Sequence, residues 1–276
     1  MEKYRKIIDI ETIIKNKNPK LYNRLPHFAV SALEKIICQN KINRLLNLYG
    51  GFHGVDFIDA VFKDFNVEIL CHGLENIKNQ GKMVFVANHP LGGIDGLAVI
   101  SAVSKHFGKT KGIVNELLLN IENLKEVFCG VNVYGHNTPE IFENIENLYS
   151  SKENICIFPA GLVSRKINGK IQDLQWKKNF IEKSVKYSLP IVPVFVDALN
   201  SSFFYNTALI RKKIGIKFNY ELILLPSEVF KYHDKPINLY FGTPVRAEDL
   251  AKEKTPQDRV NLVRERTYAL APSIKR

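Results

Sequence analysis

From residue 67 onward, short apolar runs alternate with stretches of helical spacing, and this alternation favours helices laid against a central sheet. The runs at 67–72, 83–88, 111–115, 127–133, 154–159, 191–197, 218–225 and 237–241 read as strands. Helical spacing fills 96–107, 139–149 and 174–187, with Thr138 as N-cap and Pro139 in the first turn of the second helix. The expected fold is α/β: one domain over 67–276 with a central, mostly parallel or mixed sheet flanked by helices, preceded by an N-terminal helical region over 1–66. Within that region, 28–49 places apolar residues three and four apart with Lys35, Lys41 and Arg44 between them. Such an amphipathic stretch either caps the domain or lies on a membrane surface. At 276 residues, two full domains would be cramped.

Composition narrows the partners. Cys38, Cys71, Cys129 and Cys156 are scattered without Cys-x-x-Cys spacing, which reads as a reducing, intracellular compartment. No apolar stretch reaches the roughly 18–20 residues needed to cross a bilayer, and the charged start Met1-Glu2-Lys3-Tyr4-Arg5 lacks a secretory apolar segment. The formal charge of +11 implies an anionic partner: nucleic acid, lipid headgroups, or an acidic carrier or substrate. No nucleic-acid reading motif accompanies it, so a membrane surface or an acidic carrier moves ahead.

Two strand ends carry chemistry. Met83-Val84-Phe85-Val86-Ala87 runs into Asn88-His89-Pro90-Leu91-Gly92-Gly93-Ile94-Asp95-Gly96, so a base and a carboxylate flank a glycine turn. A histidine near neutral pKa can take a proton from an acceptor hydroxyl, and a carboxylate on its other nitrogen fixes the tautomer and stabilises the imidazolium. No serine or cysteine nucleophile stands beside the pair, which points to direct transfer without a covalent enzyme intermediate. Gly92 and Gly93 allow a tight turn, and the amides leading into the following helix would hold a developing oxyanion. The plainer alternative makes Asp95 the N-cap of the helix from Gly96. The second strand end, Ile155-Cys156-Ile157-Phe158-Pro159-Ala160-Gly161, leads into Ser164-Arg165-Lys166, where a guanidinium fork and an ammonium suit an anionic headgroup, unless the pair is simply a solvated basic loop.

Asp173 reads most simply as a helix N-cap and Trp176 as a packed aromatic, with contact to an acyl chain or headgroup as the sharper option. His53, His72, His106, His136 and His233 show no metal-ligand spacing and read as structural or surface residues. Ser202-Phe203-Phe204-Tyr205 followed by Leu209-Ile210-Arg211-Lys212-Lys213-Ile214 combines aromatics and cations, as either a core-facing helix with a basic side or a membrane contact.

Asn88-His89 with Asp95, then Phe158-Pro159-x-Gly161 with Ser164-Arg165, then Leu189-Pro190-Ile191-Val192-Pro193-Val194 resemble, in order and approximate spacing, the motifs of the glycerolipid acyltransferase family, which includes 1-acylglycerol-3-phosphate acyltransferases. The resemblance covers roughly residues 67–245 and implies O-acyl transfer from acyl carrier protein or acyl-coenzyme A to the hydroxyl of a lyso-lipid. It implies His89 as general base oriented by Asp95, Gly161 and Arg165 as acceptor contacts, and 190–193 as a structural segment shaping the acyl-side wall. Asn88, Gly92, Gly93, Ser164 and Lys166 complete the expected substrate-contacting set. No cofactor or metal is expected, the acyl thioester being a substrate, and the expected location is the inner face of a bacterial cell membrane, held peripherally.

Three departures stand out. The family's histidine and aspartate are usually separated by four residues, but five separate His89 from Asp95; Ala160 replaces the glutamate that normally follows the third motif's proline; and the second motif's Gly-x-x-x-x-Arg element has no clean counterpart, Asn132-Val133-Tyr134-Gly135-His136 occupying its region. These features look like the haemolysin-like bacterial branch similar to enzymes of ornithine and glycine aminolipids, so a lyso-aminolipid stands beside lysophosphatidate as acceptor. The rivals are an acyl-thioester or lipid hydrolase, and an inactive membrane-surface lipid-binding module.

Overall fold

A computed structural model describes residues 4–79, 81–132 and 138–272. Seven strands form the main sheet: β1 (Ile69–His72), β2 (Val84–Ala87), β3 (Thr110–Asn115), β4 (Phe128–Val131), β5 (Asn154–Ile157), β8 (Ile191–Asp197) and β9 (Ile237–Phe241). Their spatial order is β1-β9-β8-β2-β5-β3-β4, and every neighbouring pair is parallel except β8 and β9. The remaining two strands, β6 (Arg165–Ile167) and β7 (Lys170–Gln172), make a separate antiparallel hairpin. The mixed α/β expectation therefore holds.

The central strands are apolar on both faces because both faces are covered by helices. Side chains alternate along a strand, so Phe85 and Ala87 enter one core with Cys156, Val192 and Val194, while Val84 and Val86 enter a second with Ile155 and Ile191. The first core is closed by α5 (Gly54–Asp64) and α6 (Ile94–Phe107), and the second by α7 (Pro139–Ser150), α8 (Asn179–Lys186) and α12 (Pro256–Ala269). Thr138 caps α7 with Pro139 in its first turn, as the sequence indicates.

The N-terminal region consists of α1 (Ile10–Lys17), α2 (Pro19–Tyr22), α3 (His27–Ile36) and α4 (Gln39–Leu48), ahead of α5. It shares the sheet's first core through Leu45 and Leu46 of α4, which join Phe57, Ile58 and Phe62 of α5 there. The amphipathic stretch 28–49 is two helices, broken where Cys38 takes a left-handed φ of 56°. The four cysteines are free thiols. Among the described residues, no helix is long and apolar enough to cross a membrane.

Two local expectations differ from the structure, and one hairpin is additional to them. Residues 218–225, read as a strand, hold a 3-10 helix, Tyr220–Leu224, because a short apolar run fits a buried helical turn as well as a strand, and buried Glu221 points to two arginines there. The helix expected from 174 begins at Asn179, since the Asp173 carboxylate bonds elsewhere and does not cap it. The β6–β7 hairpin went unread, although Asn168-Gly169, both at positive φ, is a strong signal for a two-residue turn. The chain also contains α9 (Ser202–Lys213), α10 (Leu225–Val229) and α11 (Ala247–Leu250).

Candidate active site

The site forms where adjacent parallel strands β2 and β5 end, the edge at which open α/β sheets place their ligands. Asn88 leaves β2 but continues its ladder with a side chain: Nδ2 donates to the Val196 carbonyl at 3.0 Å, and the Val196 amide donates to Oδ1 at 2.7 Å. Expected as a substrate contact, Asn88 instead has both ends of its amide engaged with β8. It fixes the point from which His89 departs.

His89 Nδ1 meets Asp95 Oδ2 at 3.0 Å, so the two side chains converge despite the extra residue between them. Gly92, at φ 78°, turns the chain in the left-handed region and accommodates that residue. Asp95 lies in the first turn of α6, not at its cap, where it accepts from the amides of Leu91, Gly92, Gly93 and Gly96 at 2.9–3.2 Å. Of the amides leading into the helix, where an oxyanion is expected to be held, those of Gly92, Gly93 and Gly96 are thus turned onto Asp95. A buried carboxylate must find such donors, and the turn supplies them.

The electrostatics follow. Burial alone would raise the Asp95 pKa, but the His89 charge and hydrogen bond and the amides of Leu91 and Gly96 outweigh it and hold the acid below its usual range. Burial would lower the His89 pKa, yet Asp95 outweighs that and raises it above 6.5. Nδ1 is occupied, which leaves Nε2 for a substrate proton. The side chain keeps 18% of its exposure. Phe158, at the end of β5, packs on it with ring centroids 4.4 Å apart.

Asp173 holds the turn from behind. Its carboxylate accepts from the His89 amide at 3.1 Å, the Ser164 hydroxyl at 2.5 Å and Trp176 Nε1 at 2.8 Å, and its own amide donates to Tyr268 Oη at 2.8 Å. The Ser164 amide also donates to the His89 carbonyl at 2.7 Å. Asp173 and Ser164 therefore lock the His89 turn to the loop after β5. Burial pushes the Asp173 pKa up despite these donors.

The acceptor residues separate in role. Gly161 turns at φ 66°, and Ala160 is buried beside Trp176 and Leu189 in the second core. Arg165 is buried rather than solvated: Nη2 bonds Glu221 at 2.9 Å, Nη1 bonds the Val163 carbonyl at 2.6 Å, and the guanidinium lies 5.5 Å from the Phe204 ring centroid. Lys166 is exposed on β6. Residues 190–193 lie at the start of β8, paired with β2, as a structural segment.

Cavities elsewhere do not compete on chemistry. One of about 550 Å³ opens around Lys82 and Tyr149 at the opposite ends of the strands, and another of about 440 Å³ lies against Cys129 and Asn147. The carboxylates of Asp9, Glu11 and Glu34 come within 4.8 Å of one another but already bond Lys6, Thr12, Tyr22 and Gln39. His136 and its neighbours 133–135 lie outside the described residues.

The chain is similar in sequence to known proteins. A family model described as Acyltransferase matches residues 12–276. A lyso-glycine lipid O-acyltransferase from Bacteroides thetaiotaomicron is 39% identical over 265 residues, covering 96% of this chain and 97% of the relative. Another of that name from Phocaeicola vulgatus is 38% identical over 265 residues, covering 96% and 95%. The crystal structure of the 1-acyl-sn-glycerophosphate (LPA) acyltransferase PlsC from Thermotoga maritima matches at TM-score 0.49 and 19% identity, over 97% of this chain and 96% of that one.

Proposed function

This chain belongs to the acyltransferase family, and from that premise we propose that it moves a fatty acyl group from acyl carrier protein or coenzyme A to the hydroxyl of a lyso-aminolipid at the inner face of a bacterial cell membrane. The carrying observation is the His89–Asp95 contact at 3.0 Å, with the His89 side chain only partly buried. His89 Nε2 takes the acceptor's hydroxyl proton as that oxygen attacks the thioester carbonyl. The C–S bond then breaks, and the proton passes to the departing thiolate, giving ester and free thiol. Asp95 holds the tautomer and the imidazolium charge, and Asp173 fixes the backbone that carries the ring.

Direct transfer is favoured because Ser164 donates its hydroxyl to Asp173, and no serine or cysteine among the described residues bonds the His89 ring. The lyso-glycine lipid named for both relatives supports an aminolipid acceptor. So does Ala160, whose place in the apolar core leaves no room for the glutamate of the glycerol-phosphate enzymes without burying a charge.

The test is release of thiol from acyl-carrier and acyl-coenzyme A thioesters by purified protein, with and without lyso-glycine lipid, and with product identified by mass spectrometry. Acceptor-dependent thiol release with a diacylated product, lost in His89→Ala, is expected. Thiol release indifferent to the acceptor would make the protein a hydrolase, and lipid binding without turnover would make it a binding module.

A further inference from the structure

The helix after β8 carries an apolar surface that the core does not use. Phe204, Tyr205 and Ala208 of α9 are buried, whereas Phe203, Ile210 and Ile214 follow at steps of seven and four residues and so share the opposite side. They are 62%, 58% and 60% exposed, and Phe218, just beyond the helix, is 70% exposed. Lys212, Lys213 and Lys217 stand exposed in the same segment, and no carboxylate occurs between Asp197 and Glu221.

This surface is fixed in place. Arg211 Nη1 donates to the Ile216 carbonyl at 2.8 Å, and its Nε lies 2.8 Å from Glu221 Oε2, whose other oxygen receives Arg165. At the other end, Tyr205 Oη donates to the Pro90 carbonyl at 3.2 Å, and Asn200 Nδ2 donates to the carbonyls of Pro90 and Leu91. The patch is therefore braced against the turn that carries His89.

Charge and apolarity together identify the occupant. An acidic carrier would meet the lysines but would leave four large apolar side chains unexplained. A second copy across a twofold axis would set like charge against like. A lipid surface satisfies both, since aromatic and aliphatic groups enter the headgroup boundary while cations meet its anions. We propose that α9 and the following loop dock on an anionic bilayer, with Phe203, Ile210, Ile214 and Phe218 inserted and Lys213 and Lys217 on lipid anions. The assignment rests on the proposed action on a bilayer-borne acceptor.

Vesicle binding measured without acyl donor tests it. Wild type should sediment with phosphatidylcholine vesicles more strongly when phosphatidylglycerol is included. Lys213→Gln/Lys217→Gln should weaken partition into phosphatidylglycerol vesicles about 30-fold, from roughly fivefold per near-surface cation. Phe203→Ser/Phe218→Ser should weaken binding to both compositions with the unfolding midpoint unmoved. Phe28→Ser on α3, equally exposed at 76%, should bind as wild type. Binding unmoved by the α9 variants, loss confined to Phe28→Ser, or α9 variants that alter only dimerisation or capture of acyl carrier protein would each overturn the assignment. Failure of acyl transfer would leave the vesicle result standing. Failed docking with intact transfer to a dispersed acceptor would remove the surface alone.

Discussion

Replacing Asp173 by alanine removes the acceptor from three buried donors at once: the His89 amide, the Ser164 hydroxyl and Trp176 Nε1. A buried donor left without a partner costs about 1–3 kcal/mol, so the three together cost about 3–9 kcal/mol. Against a whole-domain stability of about 5–15 kcal/mol, Asp173→Ala should lose a large share of the total. Asp173→Asn is gentler. Its Oδ1 can still serve Ser164 and the His89 amide, but an NH2 group then faces Trp176 Nε1–H, at about 1–3 kcal/mol. Trp176→Phe removes that opposing donor, so the double variant should be less destabilised than the sum of the singles by a similar amount. Urea unfolding of the four proteins measures the coupling. The reasoning fails if the singles add to within about 0.5 kcal/mol, or if Asp173→Ala matches wild type. The folded Asp173→Asn protein should also show a lower kcat at little-changed KM. The acidic limb of its pH–rate profile, where protonation switches off the base, should move to lower pH, because Asp173 is one of the charges raising the His89 pKa.

Three further outcomes are expected. The His89 pKa is raised in the fold above 6.5, so the stability advantage of wild type over His89→Gln should be fully present below pH 6.5 and lost as pH rises through the raised value; a gap in urea midpoints that widens with pH contradicts this. Glu221→Gln uncouples a buried carboxylate from Arg165 and Arg211 and should cost about 3–5 kcal/mol, seen as a clear fall in Tm. Gly92→Ala places a Cβ 3.0 Å from Leu225 Cδ2 and 3.1 Å from Val163 Cβ at φ 78°, whereas Gly81→Ala at φ 87° meets nothing within 4 Å. Both carry the left-handed cost of about 1–2 kcal/mol, and Gly92→Ala should lose more stability and also slow turnover; equal denaturation midpoints would contradict the crowding.

What the sequence made legible was local. The runs around Val84, Ile155 and Val192 declare strands because each is apolar on both faces, and His89 with Asp95 sit within one turn of chain. What it concealed lies in partners far along the chain. Asp173 looks like a helix cap until the fold sets it against the His89 amide, 84 residues away. Arg165 looks like an open headgroup ligand until Glu221, 56 residues on, closes over it. Glu221 itself sits in an apolar run whose alternation imitates a strand. The hairpin was the avoidable miss, since Asn168-Gly169 marks a tight turn without help from the rest of the molecule.

The Asn88 side chain, standing in for backbone between β2 and β8, has a kinetic consequence. Main chain normally leaves a sheet gradually, fraying over a residue or two, but here the last rung is made by an amide group and the polypeptide departs at once with no orphaned donor. The imidazole that follows is thereby mounted directly on the central sheet, its backbone amide and its Nδ1 both held by buried carboxylates. On the proposed mechanism each turnover would start from an assembled base, with no barrier contribution from building one.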